Sequence, residues 1–547
     1  MGRTKLSVLI MIMLFVISTF IGCSKSGSSG DTGQPRADGA GGTEGQISGF
    51  NETGYPIVNE KITLTMMGAD TADPRRKWEE NRFFKRMEEM TSIHFKFIQI
   101  ARENWNEKKK LAFASGDLPD VFFSAFLTAQ EEMSYGEQGI LIPLEGMIEK
   151  YAPNIKKCLE ENPGVKKSIT LPSGNIVALP AIHETKSNAH IYLNKKWMDE
   201  LGLEEPNTVD DLYKILKAFK DQDPNKNGMA DEIPLSLVGV AQIKPLMSAW
   251  GLLFNDVNLF IDDNNKVVFS PIQPEFKDAL VFLKKLYDEK LLDNETFTQT
   301  TQQLNAKGRN DTELLGGFYT AGAFTVVGEA RHFDYITMIP LLTPKGQRMW
   351  PLDGTFNDLE NKANAIRFMR GTFAITNKCK APEAMIRWVD YLYTEEGAIL
   401  TWMGKEGEEY EWNSDGTWSW ILEEGQEQYD VRYPGTIAPA TVPGLRPDNV
   451  WFKLGNIYES SLWPIRGRVN KYDRLTYPFL YFPVEKQKRV NSLNADIGSY
   501  VDQMIARFIT GDASIDEWDN YVKTIQNMGV EELISIYQEA YDEFIKE

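Results

Sequence analysis

The chain has 547 residues and a formal net charge of −19 at pH 7, with 42% hydrophobic and 25% charged residues. Its length points to two or more domains, and its composition to a water-exposed globular protein. Such acidity repels nucleic acid phosphates and anionic lipid heads, so neither is an expected partner, and a polyanionic ligand would need a local basic cleft.

Arg3 and Lys5 precede an apolar run from Leu6 to Ile21, and Gly22 and Cys23 follow it. A basic start, an apolar stretch and a small residue at the cut form an export signal. Beyond Ile21 no apolar run reaches the roughly 20 residues that span a bilayer. The cysteine at the cut resembles the lipobox of bacterial lipoproteins. That resemblance implies cleavage after residue 22 and lipid (diacylglycerol, with palmitate as a typical chain) on the Cys23 thiol. Phe20 stands where the pattern usually has Leu, and an ordinary signal peptide or an uncleaved anchor are the alternative readings. Residues 23–55 are rich in Ser, Gly, Asp and Thr and are expected to be a flexible tether. The body would then stand at the extracellular face of the bacterial cytoplasmic membrane, touching the membrane by its lipid only.

The folded part is expected from about residue 56. Lys61 to Met67 alternates and reads as a strand, Glu79 to Met90 as a helix, and His94 to Ile100 as a second strand. A helix over Trp105–Ser115 and a buried strand at Val121–Phe123 continue the series. Strand, helix, strand, helix, strand is the order of a parallel sheet covered on both faces. Helices follow at Leu144–Ala152 and Ile155–Glu161, and strands at Ile176–Pro180 and Ala189–Leu193. Next come helices at Lys195–Leu201 and Thr208–Asp221, with Thr208 and Asp211 at capping-box spacing. Later helices are expected at Glu275–Asp288, Pro382–Tyr393, Asp496–Ile509, Ser514–Met528 and Val530–Phe544, with a strand at Gly371–Ile375. No repeat of 20–50 residues is present.

Three cysteines and four histidines occur. They form no CxxC, HxxxH or HExxH spacing, which disfavours a zinc hydrolase. Cys158 and Cys379 would either pair or remain as buried free thiols. The segment Asp223 to Pro234 offers a different metal chemistry. Asp223, Asn225 and Asn227 occupy positions one, three and five of an EF-hand-type loop, and Gly228 occupies six. The carbonyl of Met229 would supply a backbone ligand. Position twelve, usually Glu, is Pro234, so Asp231 and Glu232 would have to complete the shell. Hard oxygen ligands suit a structural Ca²⁺, and a polar turn without an ion is the alternative.

Several stretches together resemble the extracellular solute-binding proteins, family 1, the sugar-capturing lipoproteins of bacterial ABC importers. These are Tyr192 to Thr208, Asp223 to Pro234, Asp117 to Phe123 (DLPDVFF), Gly371 to Gly397, Phe508 to Gly511 and Trp518 to Tyr521. The long form is more similar to the oligosaccharide-binding branch that includes alginate-binding proteins, in which a similar loop holds calcium. The resemblance implies an α/β, two-lobed, periplasmic-binding-protein-like type II fold with a hinge and a ligand cleft between the lobes. Lobe one would comprise residues 56–180 and 346–404, and lobe two residues 181–345 and 405–547.

A glycan cleft needs aromatic rings for the apolar sugar faces and carboxylates, amides or Arg for the hydroxyl edges. In α/β sheets, ligands bind beyond the C-terminal ends of strands. Asp70 and Asp73 follow the first strand, Ser124 and Phe126 follow DVFF, and His183 and Glu184 follow the first crossing. Tyr192 lies on the first strand of lobe two, Trp250 in a following loop, and Phe318 and Tyr319 after a Gly pair. Trp350, Trp412 and Trp451 lie in irregular segments. The ligand-binding candidates are Asp70, Ser124, Phe126, Glu184, Trp250, Tyr319, Trp350 and Trp412.

The function expected on this basis is capture of sugars, oligosaccharides foremost, and delivery to the permease subunits of an ABC importer, by a monomer and without catalysis. The alternatives are the same fold binding peptides or acting as a ligand sensor, and a glycan-cleaving enzyme built on two carboxylates.

Overall fold

The computed structural model describes residues 48–546 except 71, 72, 74, 184–188, 359, 362, 438–441, 456–463, 465 and 466. Cys23, the signal segment and residues 23–47 of the expected tether lie outside the described residues. Strand β1 (Ile62–Asp70) buries Leu64 and Met66 in one core cluster and Met67 and Ala69 in another, so both faces of its sheet are covered. It pairs in parallel with β2 (Ile93–Ala101) and with β3 (Val121–Phe123). Parallel pairing needs helical crossovers. Helices Arg82–Thr91 and Trp105–Ser115 supply them. The first is capped by Asn81, whose side chain accepts the Phe83 N–H at 2.9 Å.

The remaining strands in chain order are β4 (Leu179–His183), β5 (His190–Asn194), β6 (Leu259–Ile261), β7 (Val267–Phe269), β8 (Gly317–Thr320) and β9 (Tyr335–Thr337). They are followed by β10 (Trp350–Asp358), β11 (Ala363–Ile375), β12 (Tyr410–Trp412), β13 (Trp418–Trp420), β14 (Gly444–Arg446) and β15 (Asp473–Pro478). The large sheet has the order β14-β4-β11-β3-β1-β2, with β10 joined to β11 and β15 joined to β10. A smaller sheet has the order β8-β5-β9, and β6–β7 and β12–β13 are hairpins. The molecule is a two-lobed α/β protein. One lobe is organised by the large sheet, the other by the small sheet and the C-terminal helices.

In the large-sheet lobe, Trp388 is fully buried and meets Phe95, Phe123 and Phe83 edge-on, with ring centroids 5.3, 5.9 and 6.4 Å away. In the other lobe, Phe276, Leu280 and Leu283 of helix Pro274–Asp288 pack with Val501, Ile505 and Phe508 of helix Val484–Thr510 in a single core cluster. The capping box expected at Thr208 forms: its hydroxyl accepts the Asp211 N–H at 3.2 Å, and Asp211 accepts the Thr208 N–H at 3.1 Å.

Several elements differ from expectation in extent. β11 runs for 13 residues instead of five, and the helix expected from Asp496 begins at Val484. The strand expected at Ile176 starts at Leu179, where pairing with β11 begins. The sheet is also mixed, since β11 lies antiparallel to both β3 and β4. After Gly404, a stretch expected wholly in the second lobe, β14 pairs in parallel with β4 and so extends the large sheet. Cys158 and Cys379 are both free thiols, and burial pushes each up to about 12.

Candidate functional site: a cleft over the crossing strands

The C-terminal part of β11 pairs with β3 and β4 in the large sheet. Earlier residues of β11 pair with β10, which in turn pairs with β15. This strand pair passes from one lobe to the other, and its residues face a cleft. Two cavities of about 370 and 420 Å³ meet there, because Asn255, Asp256 and Asp353 line both.

The first cavity brings two of the expected aromatics together. Tyr319 on β8 and Trp350 at the start of β10 both line it, with Lys244, Phe254, Arg367 and Asp502. Trp350 is buried except for an edge, and its indole N–H donates to the Ala189 carbonyl at 3.3 Å. Burial, with the nearby Asp353 charge, pushes the Tyr319 hydroxyl up to about 12. Asp353 is open to the cleft but ringed by protein. Desolvation, with the Asp256 charge, raises its carboxyl to about 6, while the Thr476 hydroxyl, donating at 3.1 Å, opposes the rise. Arg367 comes from β11, and its Nη1 is buried with no hydrogen-bond partner among the described residues. Desolvation, with the Arg446 charge, lowers this guanidinium to about 10. Lys244 is paired with Asp502 at 2.7 Å.

The second cavity is lined by Thr128 to Gln130 at the start of a large-sheet-lobe helix, by Arg370 of β11, and by Tyr477 to Leu480 and Asn491 on the other side. Arg370 stacks over the Tyr481 ring at 4.5 Å, and its Nε lies 3.9 Å from the Glu132 carboxylate. Groups from both lobes and from the crossing strand therefore face one space, the arrangement a hinged binding protein uses to close on a ligand.

Asp256, Asp353, Arg367 and Arg370 were not among the sequence candidates. The signal for two of them was present: in Ile366-Arg367-Phe368-Met369-Arg370, apolar Ile366 and Phe368 alternate with other residues, a strand pattern upstream of the expected Gly371 start. Asp353 lies between Leu352, buried toward the core, and Gly354. A Cβ on Gly354 would stand 2.0 Å from the Ile366 carbonyl, so β10 and β11 touch closely there.

The other candidates lie elsewhere. Asp70 is the last residue of β1 instead of following it, accepts from Arg76 Nε at 2.9 Å and from the Trp78 indole at 2.6 Å, and lines neither cavity. Asp73 accepts from Arg75, which also pairs with Asp430 at 2.7 Å. Ser124 and Phe126 adopt positive φ values of 52° and 49°, uncommon for residues other than glycine. Phe126 carries the Arg102 guanidinium 4.6 Å above its ring, and their loop leads into Thr128 at the cleft. Trp250 lines a separate cavity of about 260 Å³ with Phe260 and Met349 and packs against Phe282. Trp412 is exposed on the β12–β13 hairpin, and Trp451 is buried among Trp402, Trp418 and Trp420. Tyr192 and Phe318 are core residues stacked at 6.0 Å, and His183 is buried at the end of β4. Glu184 lies outside the described residues.

The Asp223 loop folds tightly around its own side chains. The N–H groups of Asn227 and Gly228 donate to Asp223 at 3.1 and 3.0 Å, and the Met229 N–H donates to Asn227 Oδ1 at 2.7 Å. The amides of Asn225 and Asn227 both donate to the Asp231 carboxylate, at 3.1 and 3.0 Å. Glu232 Oε1 is buried without a hydrogen-bond partner among the described residues, and burial, with the Asp231 and Asp223 charges, raises its carboxyl. The Met229 side chain is exposed, so only its carbonyl is in question. No set of three His, Cys, Asp or Glu side chains is arranged to hold a metal among the described residues. Any shell here depends on the asparagines and the backbone. The orphaned Glu232 oxygen and the oxygen-rich set around Asp231 fit a hard cation.

Comparison with known proteins bears on both sites. Residues 77–399 match the family described as bacterial extracellular solute-binding protein. The chain is 29% identical over 523 residues, 90% of its own length and 92% of the other's, to the fructooligosaccharide ABC transporter substrate-binding protein FusA of Streptococcus pneumoniae. The structure of that protein in complex with kestose superposes with a TM-score of 0.74 at 28% identity, covering 88% of this chain and 99% of that one. A structure of its EF-hand mutant with fructo-nystose matches with the same TM-score at 27% identity and the same coverage. With the family match covering more than half of the sequence, the chain belongs to the bacterial extracellular solute-binding proteins.

Proposed function

We propose that this protein captures oligosaccharides in the cleft over β10 and β11 and delivers them to the permease of an ABC importer. One observation carries the reading. The cleft holds aromatic Tyr319 and Trp350 beside Asp256, Asp353 and Arg367, the mixture of ring faces and hydrogen-bonding groups that a sugar requires. The similarity to an oligosaccharide-binding relative over nearly the whole chain supports it. Ligand contacts to both lobes would favour the closed form, and the permease would read closure. Nothing in this role calls for a chemical step.

Lipid on Cys23 would keep the body at the outer face of the membrane, with the following residues as tether. Calcium would be held by Asp223, Asn225, Asn227, Asp231, Glu232 and the Met229 carbonyl. Asp231 accepts the amides of both asparagines and is the group a cation would take over. The ion would pin the end of helix Val209–Asp221 to the strand-forming segment at Ile233, which bridges to Leu315.

A thermal-shift panel tests the ligand class, because a ligand that binds only the native state raises Tm by mass action. Neutral and acidic oligosaccharides, peptides and free amino acids are compared at equal concentration. A rise with oligosaccharides alone is expected. A rise with peptides and none with any glycan would sink the reading.

A further inference from the structure

We infer that the cleft selects oligosaccharides without carboxylates, and that Arg367 on the crossing strand is the residue that reads them, by donating to a pair of neighbouring hydroxyl oxygens. This inference rests on the oligosaccharide reading of the cleft and adds the charge class of the ligand.

The argument begins with a count of charges. Among the described residues, the two joined cavities are lined by three cations, Lys244, Arg367 and Arg370, and three carboxylates, Asp256, Asp353 and Asp502. A lining built for uronate rings, each bearing a negative charge, would need a surplus of cations. Two of the cations are already engaged. Lys244 meets Asp502 at 2.7 Å, and Arg370 donates to the Ser168 carbonyl with the Glu132 carboxylate close by. Arg370 Nε is itself buried without a hydrogen-bond partner among the described residues, but its guanidinium is held by Ser168 and Glu132. Arg367, whose Nη1 is buried with no hydrogen-bond partner, has among the described residues no such carboxylate beside it at ion-pair distance.

A buried donor left without an acceptor is costly, and a cleft that opens and closes on a ligand is where the missing acceptor would come from. A guanidinium presents its donors as a rigid planar fork, which fits two oxygens side by side. A carboxylate and a vicinal diol both offer that pair. The neighbouring carboxylate of Asp353 decides between them. A sugar hydroxyl bonded to Arg367 can turn its own hydrogen toward Asp353, whereas a uronate would bring a second negative charge against Asp353 and Asp256. The position of Arg367 adds a further consequence. It pairs with His183 of β4, directly after Ile366, which pairs with β10, so a ligand held there touches the strand that links the lobes.

The test uses the purified wild-type protein and the variants Arg367→Met, Arg367→Lys and Asp353→Asn, titrated calorimetrically with a neutral oligosaccharide that passes the thermal-shift panel and with an oligogalacturonate of equal length. The wild type should bind the neutral chain about 100-fold more tightly than the acidic one. Arg367→Met should lose about 100-fold for the neutral chain, and Arg367→Lys should recover only part, since a single ammonium cannot replace the fork. Asp353→Asn should narrow the gap by admitting the oligogalacturonate, a gain that a folding defect cannot imitate. Tighter binding of the oligogalacturonate by the wild type, abolished in Arg367→Met, would overturn the inference while leaving the oligosaccharide reading intact. Unchanged selectivity in all three variants would do the same. Binding of neither glycan would overturn the oligosaccharide reading itself.

Discussion

Tyr481 donates its phenolic hydroxyl to the buried carboxylate of Glu132 and so ties helix Ala129–Glu137 of the large-sheet lobe to the loop that opens helix Val484–Thr510 of the other. Arg370 of the crossing strand stands over the same tyrosine ring. Glu131 and Lys109 are the other charged groups that act on Glu132. The triad therefore spans both lobes and the hinge strand, next to the second cleft cavity.

Burial raises the Glu132 carboxyl from 4.5 to about 7, against the pull of Arg370 and Tyr481. The unfolded chain gives up this proton first, so stability falls as pH rises from about 4.5 to 7 and the native carboxylate is forced to ionise. Glu132→Gln keeps an acceptor for Tyr481 and cannot ionise. At pH 8 the variant should be more stable than the wild type, by up to about 3 kcal/mol. At pH 5 the two should be nearly equal. Thermal melts at both values check this, and a variant less stable than wild type at pH 8 would show that the ionised form is the one the fold favours.

Gly164 and Gly146 make a paired test of packing. Gly164 lies in helix Pro163–Ile169, and a Cβ there would stand 1.7 Å from the Phe356 carbonyl on β10. Backbone cannot yield as a side chain can, so Gly164→Ala should cost about 1–3 kcal/mol and push the helix away from the crossing strands. Gly146 lies within helix Glu145–Tyr151 with nothing inside 4 Å of its added Cβ. Gly146→Ala should stabilise by about 0.5–1 kcal/mol by lowering the entropy of the unfolded chain. Chemical denaturation of both variants measures the pair. Equal effects would mean that the β10 contact is looser than the structure has it.

The local signals that made most helices and the first three strands legible were the strong ones. Thr208 with Asp211, and the alternation of Leu64 and Met66 with polar neighbours, are each complete within a few residues. β10 and β11 were harder, because their pairing partners lie far away: Arg367 pairs with His183, and Trp350 with Asp473. Nothing in the surrounding sequence announces such a pairing. Asp353 was missed for that reason, and the alternation around Arg367 marks a strand but not its place in the cleft, while Tyr319 was reached through its position after a Gly pair and Trp350 through the aromatic rings a sugar site needs. Asp70 shows the opposite error. The strand was read only as far as Met67, three residues short of its end at Asp70, and the sequence does not reveal that Arg76 and Trp78 return to occupy the carboxylate.

The Asp223 loop gives a metal-dependent prediction. An ion that binds the native state only, present at 100 times its dissociation constant, stabilises by about 2.7 kcal/mol. Calcium should therefore raise the Tm of EDTA-treated protein by a few degrees, and magnesium should do less because it demands a tighter octahedron. Asp231→Asn should abolish the calcium response. It should leave the EDTA-treated protein close to wild type, since an amide oxygen still accepts from Asn225 and Asn227. A Tm indifferent to EDTA and calcium would leave the loop as a polar turn held by its own hydrogen bonds.

Asp353 links the cleft to pH. Its carboxyl is raised to about 6 by desolvation and by Asp256, so a modest acidification neutralises it. If ligand hydroxyls donate to Asp353, binding favours the ionised form, and affinity is fully present above about pH 6 and falls as the pH drops below it. The loss approaches about tenfold for each pH unit below that midpoint, and levels off where the carboxyl begins to protonate in the complex as well. Asp353→Asn should bind more weakly at pH 7.5 and show a flat profile down to pH 5. Titrations of the oligosaccharide at pH 5, 6 and 7.5 with both proteins separate the outcomes. A wild-type profile as flat as that of the variant would mean that Asp353 does not accept from the ligand, and that Asp256 or Asn255 holds the hydroxyls on that side of the cleft instead.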